Sequence, residues 1–124
     1  MVLGGTGAVS DLVASQLQPY ATAPIQRRAG ADRYETAVAI SRASFGPAVG
    51  HLYVATGANF PDGLSGGPAA AAGAGPLLLV RGDALSAAVR EELLRLAPQR
   101  VTILGGTAVV SESIHAEINR LWNP

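Results

Sequence analysis

The amino-acid sequence contains no cysteine, which excludes disulfide scaffolds, cysteine nucleophiles and zinc sites built on thiolates. Lysine is also absent, so arginine supplies all nine basic residues, and nine acidic residues bring the formal net charge to zero. A general nucleic-acid-binding protein carries a basic excess, and the balance here argues against one. The longest apolar runs are short, such as Pro76–Val80, and none is long enough to span a bilayer.

What is present is the composition of a folded domain. The chain has 124 residues, and 48% of them are apolar, which is too high for a disordered segment. Short apolar runs alternate with stretches of helical periodicity, a pattern typical of parallel strands covered by helices. The predicted strands are Val2–Gly4, Ile25–Arg28, Leu52–Thr56, Pro76–Val80 and Val101–Leu104. The sequence therefore predicts an α/β fold: a three-layer, Rossmann-like or flavodoxin-like domain with a mainly parallel sheet of about five strands.

Helix start signals agree with this alternation. Asp32 followed by Glu35 resembles a capping box, and Ser86 and Ser111 stand where N-cap residues are expected. Pro61 suits the first turn of a helix. Each signal follows a predicted strand, so each marks the start of a connecting helix.

Two helical segments carry further information. The alanine-rich stretch Ala69–Gly75 predicts a helix whose small side chains let the sheet approach closely. In the helix after Ser86, the spacing of Glu91 and Arg95 predicts an i, i+4 ion pair on the exposed side.

An internal repeat links the two ends of the chain. Residues Val2–Asp11 match Ile103–Glu112 at a constant offset of 101 residues, with Leu, Gly, Gly, Thr, Val and Ser recurring in register. The chain therefore divides into residues 1–24, the tail of a preceding repeat, and residues 25–124, one full repeat. The first strand is shorter than its later copy, and we expect the natural protein to extend upstream.

The turn at residues 2–7, Val-Leu-Gly-Gly-Thr-Gly, resembles a dinucleotide-binding loop. In such a loop, backbone N–H groups and a helix N-terminus meet a pyrophosphate. Here the third small residue is missing, as is an acidic residue about 20 positions further on. The second copy also has Ala108 in place of Gly7. A structural turn is therefore the favoured interpretation.

A second motif, Gly-Leu-Ser-Gly-Gly at residues 63–67, fits the pattern of a hydrolase nucleophile elbow. Asp83 and His115 follow it in the order of a catalytic triad. An elbow places its serine directly after a strand, whereas Ser65 is expected inside a helix. The two histidines, His51 and His115, lack metal-ligand spacing, so neither catalytic residues nor a metal site are expected.

Five segments form a more distinctive set: Arg28–Ala37, Ala55–Leu64, Gly67-Pro68, Pro76–Leu79 and Ile103–Gly106. In this order and spacing they resemble the cell-wall-binding repeat type 2 family. The resemblance covers residues 25–118 as one full repeat, and residues 2–17 match the end of a previous one. Gly63 is a mild departure, because alanine is common there.

The resemblance implies a module of surface-layer proteins, autolysins and other secreted proteins of Gram-positive bacteria, located at the cell wall or cell surface. Such proteins usually carry three tandem Rossmann-like repeats around a pseudo-threefold axis. The implied role is non-covalent anchoring to an anionic wall polymer, with no cofactor and with catalysis left to other domains. Only one full repeat is present here, so a threefold arrangement needs further copies, and we expect a homotrimer.

The candidate ligand-binding residues are Arg28, Arg33, Asn59, Asp62 and Arg81. Ligands of open α/β sheets gather at the carboxyl ends of the strands, and the last three of these residues follow such ends. Arginine binds phosphate and carboxylate groups in a planar fork, which suits an anionic polymer. A structural ion pair for each arginine, and a helix-start role for Asp62, remain open.

Three functions are compatible with the sequence, and the first of them is favoured. The first is a wall-anchoring module that binds an anionic glycopolymer without turnover. The second is a self-assembly module whose main partner is another copy of itself. The third is a small nucleotide-dependent or flavodoxin-like enzyme.

Overall fold

The computed structural model describes residues 1–122, apart from the side chain of Phe60. Over these residues five strands alternate with five α-helices. The strands are β1 (Val2–Leu3), β2 (Arg27–Arg28), β3 (Leu52–Thr56), β4 (Leu77–Val80) and β5 (Val101–Leu104). The helices are α1 (Asp11–Leu17), α2 (Arg33–Ser44), α3 (Phe60–Ala72), α4 (Ala87–Leu96) and α5 (Glu112–Arg120), with a 3₁₀ turn at Gln18–Tyr20. None of the described helices is long and apolar enough to cross a membrane.

All the strand pairs are parallel, but they form two sheets rather than one. β1 pairs with β2, while β3 lies between β4 and β5. The prediction of an α/β fold with parallel strands is confirmed, and the prediction of one sheet of about five strands is wrong. The reason lies in the repeat: β1 is a copy of β5, and the described residues hold no second copy of β3 to join β1 to the larger sheet.

Helices cover both faces of the three-stranded sheet. On one face, Leu52 and Val54 of β3 pack with buried side chains from α2, α4 and α5, including Leu93 and Ile114. On the other face lies α3, where a Cβ added to Gly66 would fall 2.5 Å from the Leu104 Cδ1 atom. Gly66 therefore lets α3 approach the sheet closely, whereas the helix predicted over residues 69–75 already ends at Ala72.

The predicted helix starts are largely confirmed. The Asp32 carboxylate accepts hydrogen bonds from the Tyr34 and Glu35 N–H groups, both at 2.9 Å, and Ser86 caps α4 in the same way. Ser111 holds the N-cap position of α5, but its hydroxyl lies 2.7 Å from that of Ser113 instead of bonding to the helix backbone.

The internal repeat extends to the backbone conformation. Gly4 and Gly105 share a positive φ, 101° and 97°, which favours glycine because it has no Cβ. After each of them, the N–H groups of two consecutive residues bond to the carbonyl oxygen of Gly5 or of Gly106, at 3.0–3.1 Å. The glycine-rich turn therefore occurs twice in the chain with the same geometry.

The two copies differ in packing. In α5, Ile114 and Ile118 are buried in the core, whereas their counterparts in α1, Val13 and Leu17, are 42% and 43% exposed. No residue of α1 is buried. The apolar positions of α1 therefore have no hydrophobic core to pack against, unlike the matching positions of α5.

A buried carboxylate joins α2 to α4. Glu92 is fully buried and accepts hydrogen bonds from the Ser41 hydroxyl at 2.5 Å and from the Arg95 guanidinium at 2.7 and 2.8 Å. Arg42 adds a bond at 3.2 Å. Burial alone raises the pKa of Glu92, but the bonds from Arg95, Ser41 and Arg42 outweigh it and hold the pKa below its ordinary value of 4.5.

The expected ion pair between Glu91 and Arg95 is wrong. Arg95 pairs with Glu92, and Glu91 lies 3.6 Å from Arg42. Helical spacing allows both i, i+3 and i, i+4 pairs, and Arg95 takes the i, i+3 partner because that carboxylate is buried and has no water to solvate it.

Candidate functional site

A groove of about 580 Å³ lies between the two sheets. Its walls come from α2, α3, β4, the end of β1 and the C-terminal end of β3. The apolar lining consists mainly of Leu3, Ile40, Leu64, Leu77 and Leu79. We call this space the inter-sheet groove. It continues into a neighbouring cavity beside the Gly4–Gly7 turn and the Gly30–Arg33 loop, because the two cavities share lining residues.

Arg33 is the charged side chain in the lining of the inter-sheet groove. It begins α2, and its Nη1 atom donates a hydrogen bond to the Gly57 carbonyl oxygen at 2.7 Å. Gly57 leaves room for this arrangement, since a Cβ there would fall 2.5 Å from Tyr34 Cε1 and 3.3 Å from Arg33 Cδ. The chain leaving β3 therefore fixes the guanidinium in the groove.

Arg81 stands beside the same loop. Its guanidinium lies 3.5 Å from the Asp32 carboxylate and 4.8 Å from the centre of the Tyr34 ring, a cation–π arrangement. Its side chain is nevertheless 57% exposed, which leaves donors accessible to a ligand. Asp32 therefore has two structural partners, the backbone at the start of α2 and Arg81.

The other three predicted site residues are spread more widely. Asn59 lines the inter-sheet groove at the N-cap of α3, where its side chain makes no capping bond. Asp62 lies in the first turn of α3 below the β5–α5 loop, close to Gly105. Arg28 lies on β2, where it bonds to Gln26 at 2.7 Å and its Nε atom is buried without a partner. Arg33 and Asn59 thus line the groove, Arg81 lies beside the start of α2, and Arg28 and Asp62 are not part of the groove lining.

Sequence reasoning missed the apolar lining of the inter-sheet groove. The available signal was β4, whose four residues are all apolar. Leu78 and Val80 are buried in the core, but Leu77 and Leu79 point into the groove and stay partly exposed. A strand that is apolar on both faces predicts packed side chains over both faces, and here Leu77 and Leu79 are covered only in part.

The residues of the hydrolase motif do not form a triad. Ser65 lies inside α3, where its hydroxyl donates to the Pro61 carbonyl oxygen at 2.9 Å. His115 lies in α5 and has a buried Nε2 atom without a hydrogen-bond partner, and no bond joins it to Ser65 or Asp83 among residues 1–122. Within the same residues no group of three or more potential ligands could hold a metal ion.

Replacing Ser65 with alanine is expected to leave unchanged the wall binding that the family resemblance implies, because this hydroxyl is satisfied within its own helix. Retention on purified cell walls measures the effect.

Millimolar NAD(P) is expected to leave the melting temperature unchanged, since the glycine turn lacks the fingerprint for a dinucleotide. A rise of several degrees would contradict this expectation, because a ligand that binds only the folded state stabilises it.

The architecture is that of a parallel α/β domain with helices on both faces of its main sheet. The sequence profile of Cell wall binding domain 2 (CWB2) matches residues 27–115. The chain therefore belongs to the cell wall binding domain 2 family. Cell wall binding by this family is non-catalytic.

Three individual proteins are similar to the chain. The N-acetylmuramoyl-L-alanine amidase LytC of Bacillus subtilis (strain 168) is 32% identical over 124 residues, which cover 100% of the chain and 23% of the amidase. The solved structure of Cwp6 from Clostridium difficile matches with a TM-score of 0.76 at 33% identity, over 82% of the chain and 16% of Cwp6. Cwp8 from Clostridium difficile matches with a TM-score of 0.80 at 24% identity, over 96% of the chain and 19% of Cwp8.

The chain thus spans less than a quarter of the length of each of these relatives. Cwp8, which is less than 25% identical, supports the fold alone.

Proposed function

We propose that the chain anchors a secreted protein to the Gram-positive cell wall by binding an anionic glycopolymer in the inter-sheet groove. The observation that carries this proposal is the position of Arg33 in the lining of the inter-sheet groove, with Arg81 outside the lining but beside Asp32 and Tyr34 at the start of α2. Arginine presents a planar fork of donors to phosphate or carboxylate groups. The apolar lining beside Arg33 offers a surface for the carbon-bound faces of sugar or polyol units.

The attraction is local, because the chain as a whole carries no net charge. Contacts between exposed charges weaken with salt, since the screening length falls from about 10 Å at 0.1 M to about 3 Å at 1 M. We therefore expect retention on purified walls to fall at least about fivefold between these salt concentrations. Walls stripped of their anionic polymers should retain little of the chain at either concentration.

The residue-level test compares two arginines. Arg33→Gln is expected to reduce wall retention several-fold, because it removes the charge inside the groove. Arg120→Gln is the matched control, since Arg120 lies in α5 outside the groove lining and its Nε donates to the Ala116 carbonyl oxygen of its own helix. Melting temperatures of both variants separate lost binding from lost folding. Equal retention of both variants, or equal binding to stripped walls, would rule out the arginine-based site.

Self-association is a second candidate function, and the exposed apolar face of α1 favours it. Leu12, Val13 and Leu17, all on this one helix, are 68%, 42% and 43% exposed. Adjoining exposed apolar residues mark interaction surfaces. A homotrimer closed by head-to-tail contacts is the arrangement we propose, and light scattering measures it.

A further inference from the structure

One edge of the three-stranded sheet is open. β5 is its outer strand, and its register with β3 pairs Leu52 with Val101 and Val54 with Ile103. The Leu52 N–H donates to the Arg100 carbonyl oxygen at 2.9 Å. Because N–H groups alternate along a strand, those of Ile103 and Gly105 point away from β3. No strand of residues 1–122 pairs with that side of β5.

The repeat shows what this edge accepts. At the offset of 101 residues, Ile103 and Gly105 correspond to Val2 and Gly4. In that copy the same two N–H groups are occupied: Val2 donates to the Gln26 carbonyl oxygen at 2.8 Å, and Gly4 donates to that of Arg28 at 2.9 Å. The edge that is open on β5 is therefore the edge that β2 covers on β1.

A side-chain contact repeats the same relation. Arg27 of β2 donates to the Gly4 carbonyl oxygen at 2.7 Å and lies 3.2 Å from the Asp11 carboxylate at the start of α1. The counterparts of these two groups are the carbonyl of Gly105 and the carboxylate of Glu112 at the start of α5. Glu112 is exposed and has no ion-pair partner among residues 1–122. Both the edge and the carboxylate match a strand of the β2 type.

We propose that the open edge of β5 is a docking site for β2 of a second copy of this chain. Residues 26–28 of that copy add a parallel strand along Ile103–Gly105. Its Arg27 bonds to the Gly105 carbonyl and pairs with Glu112. The contact is head-to-tail, because β5 of one copy meets β2 of the next. Head-to-tail contacts of this kind are all satisfied when the copies form a closed ring.

Docking requires β2 to exchange its own β1 for the β5 of the neighbour. The structure makes this exchange easy, since β1 has two residues and α1 has no buried residue. Each bond that β2 loses to β1 has a counterpart on β5, so the balance between the free and docked states depends on protein concentration. Arg27 then pairs with Asp11 of its own chain in the free state and with Glu112 of the neighbouring copy in the docked state.

Because of this competition, removing one carboxylate or the other should change self-association in opposite directions. Asp11→Ala weakens the hold of β1 on β2, and we expect it to strengthen self-association at least about threefold. Glu112→Ala removes the carboxylate of the docking site, and we expect it to weaken self-association by a similar factor. Asp83→Ala is the control, because Asp83 is also exposed and without an ion pair among residues 1–122. Analytical ultracentrifugation across concentration measures all four proteins, without wall material.

Two results overturn the proposal. The first is a mass that stays at 12.6 kDa up to about 1 mM for both the unaltered chain and Asp11→Ala. The second is association that changes in the same direction in Asp11→Ala and Glu112→Ala, because any interface without strand exchange lacks the competition. Failure of wall binding does not affect either result.

Disulfide trapping gives an independent measurement, since the natural chain has no cysteine. Leu3 pairs with Arg28 in the β1–β2 register, so Leu104 is expected to face Arg28 of the docked copy. A mixture of Leu104→Cys and Arg28→Cys chains should form the mixed disulfide. Thr107→Cys, in the exposed turn after β5, is the matched control and should not. Equal yields from the two mixtures contradict the proposed register.

Discussion

Replacing Glu92 with alanine is expected to lower the free energy of unfolding by about 3 kcal/mol, which corresponds to a fall of roughly 10 °C in melting temperature for a domain of this size. Glu92 is fully buried, and its two oxygens bind Ser41, Arg42 and Arg95. Without the carboxylate, the donors that join α2 to α4 lose their common acceptor. Urea unfolding followed by circular dichroism measures the change.

Glu91→Gln is the matched control for this effect. Glu91 is the neighbouring residue, its side chain is 71% exposed, and its contact with Arg42 is 3.6 Å long. Exposed pairs of this kind contribute little, so the change is expected to stay below about 0.5 kcal/mol. Comparable losses in the two variants would show that the buried network does not hold the helices together.

The same network predicts how stability depends on pH. The folded-state pKa of Glu92 lies below the ordinary value of 4.5, so the ionised form is favoured by folding. This contribution is complete above the unfolded-state pKa and is lost as pH falls through the folded-state pKa. The stability difference between the unaltered chain and Glu92→Gln should therefore shrink steadily below about pH 4. A constant difference across the acid range would show that the carboxylate charge is not involved.

Ile114→Ala is expected to have a similarly large effect, a loss of about 3 kcal/mol in the free energy of unfolding. Ile114 is fully buried: its exposed fraction is 0%, and it packs in the core with Leu93 and Val110. Removing three carbon atoms leaves a cavity that the surrounding strands and helices fill only in part.

The repeat supplies the control for this variant. Val13 corresponds to Ile114 at the offset of 101 residues, but its side chain is 42% exposed. Val13→Ala is therefore expected to change stability by no more than about 0.5 kcal/mol. If the two variants lost stability equally, α1 would pack against a core as α5 does, contrary to the structure.

Much of the local structure could be predicted from the sequence, because short-range chemistry determines it. The capping box at Asp32, the serine cap at Ser86 and the two glycine turns of the repeat all depend on residues a few positions apart. The division into two sheets could not be predicted in this way. It depends on whether a partner for β1 exists elsewhere in the chain, and apolar runs do not record which strands pair.

The candidate site divides along the same line. Placing Asn59 and Arg81 after strand ends required only the alternation of strands and helices. In the structure Asn59 lines the inter-sheet groove, and Arg81 lies beside Asp32 at the start of α2. Arg28 was a candidate as well, but its surroundings could not be predicted, since they depend on how β2 pairs. Glu92 was missed because a charged residue in an amphipathic helix predicts exposure, and only long-range packing against Ser41 reveals the buried carboxylate.

The pairing of β1 with β2 also affects how a tandem array of such repeats is divided into pieces. The border that the sequence draws at residue 25 falls between two strands that are hydrogen-bonded to each other. A piece that begins at this border leaves the edge of β2 uncovered, and an uncovered strand edge recruits other chains. Pieces that begin one strand earlier keep that edge covered, so the unit for dissection is offset from the repeat by a strand and a helix.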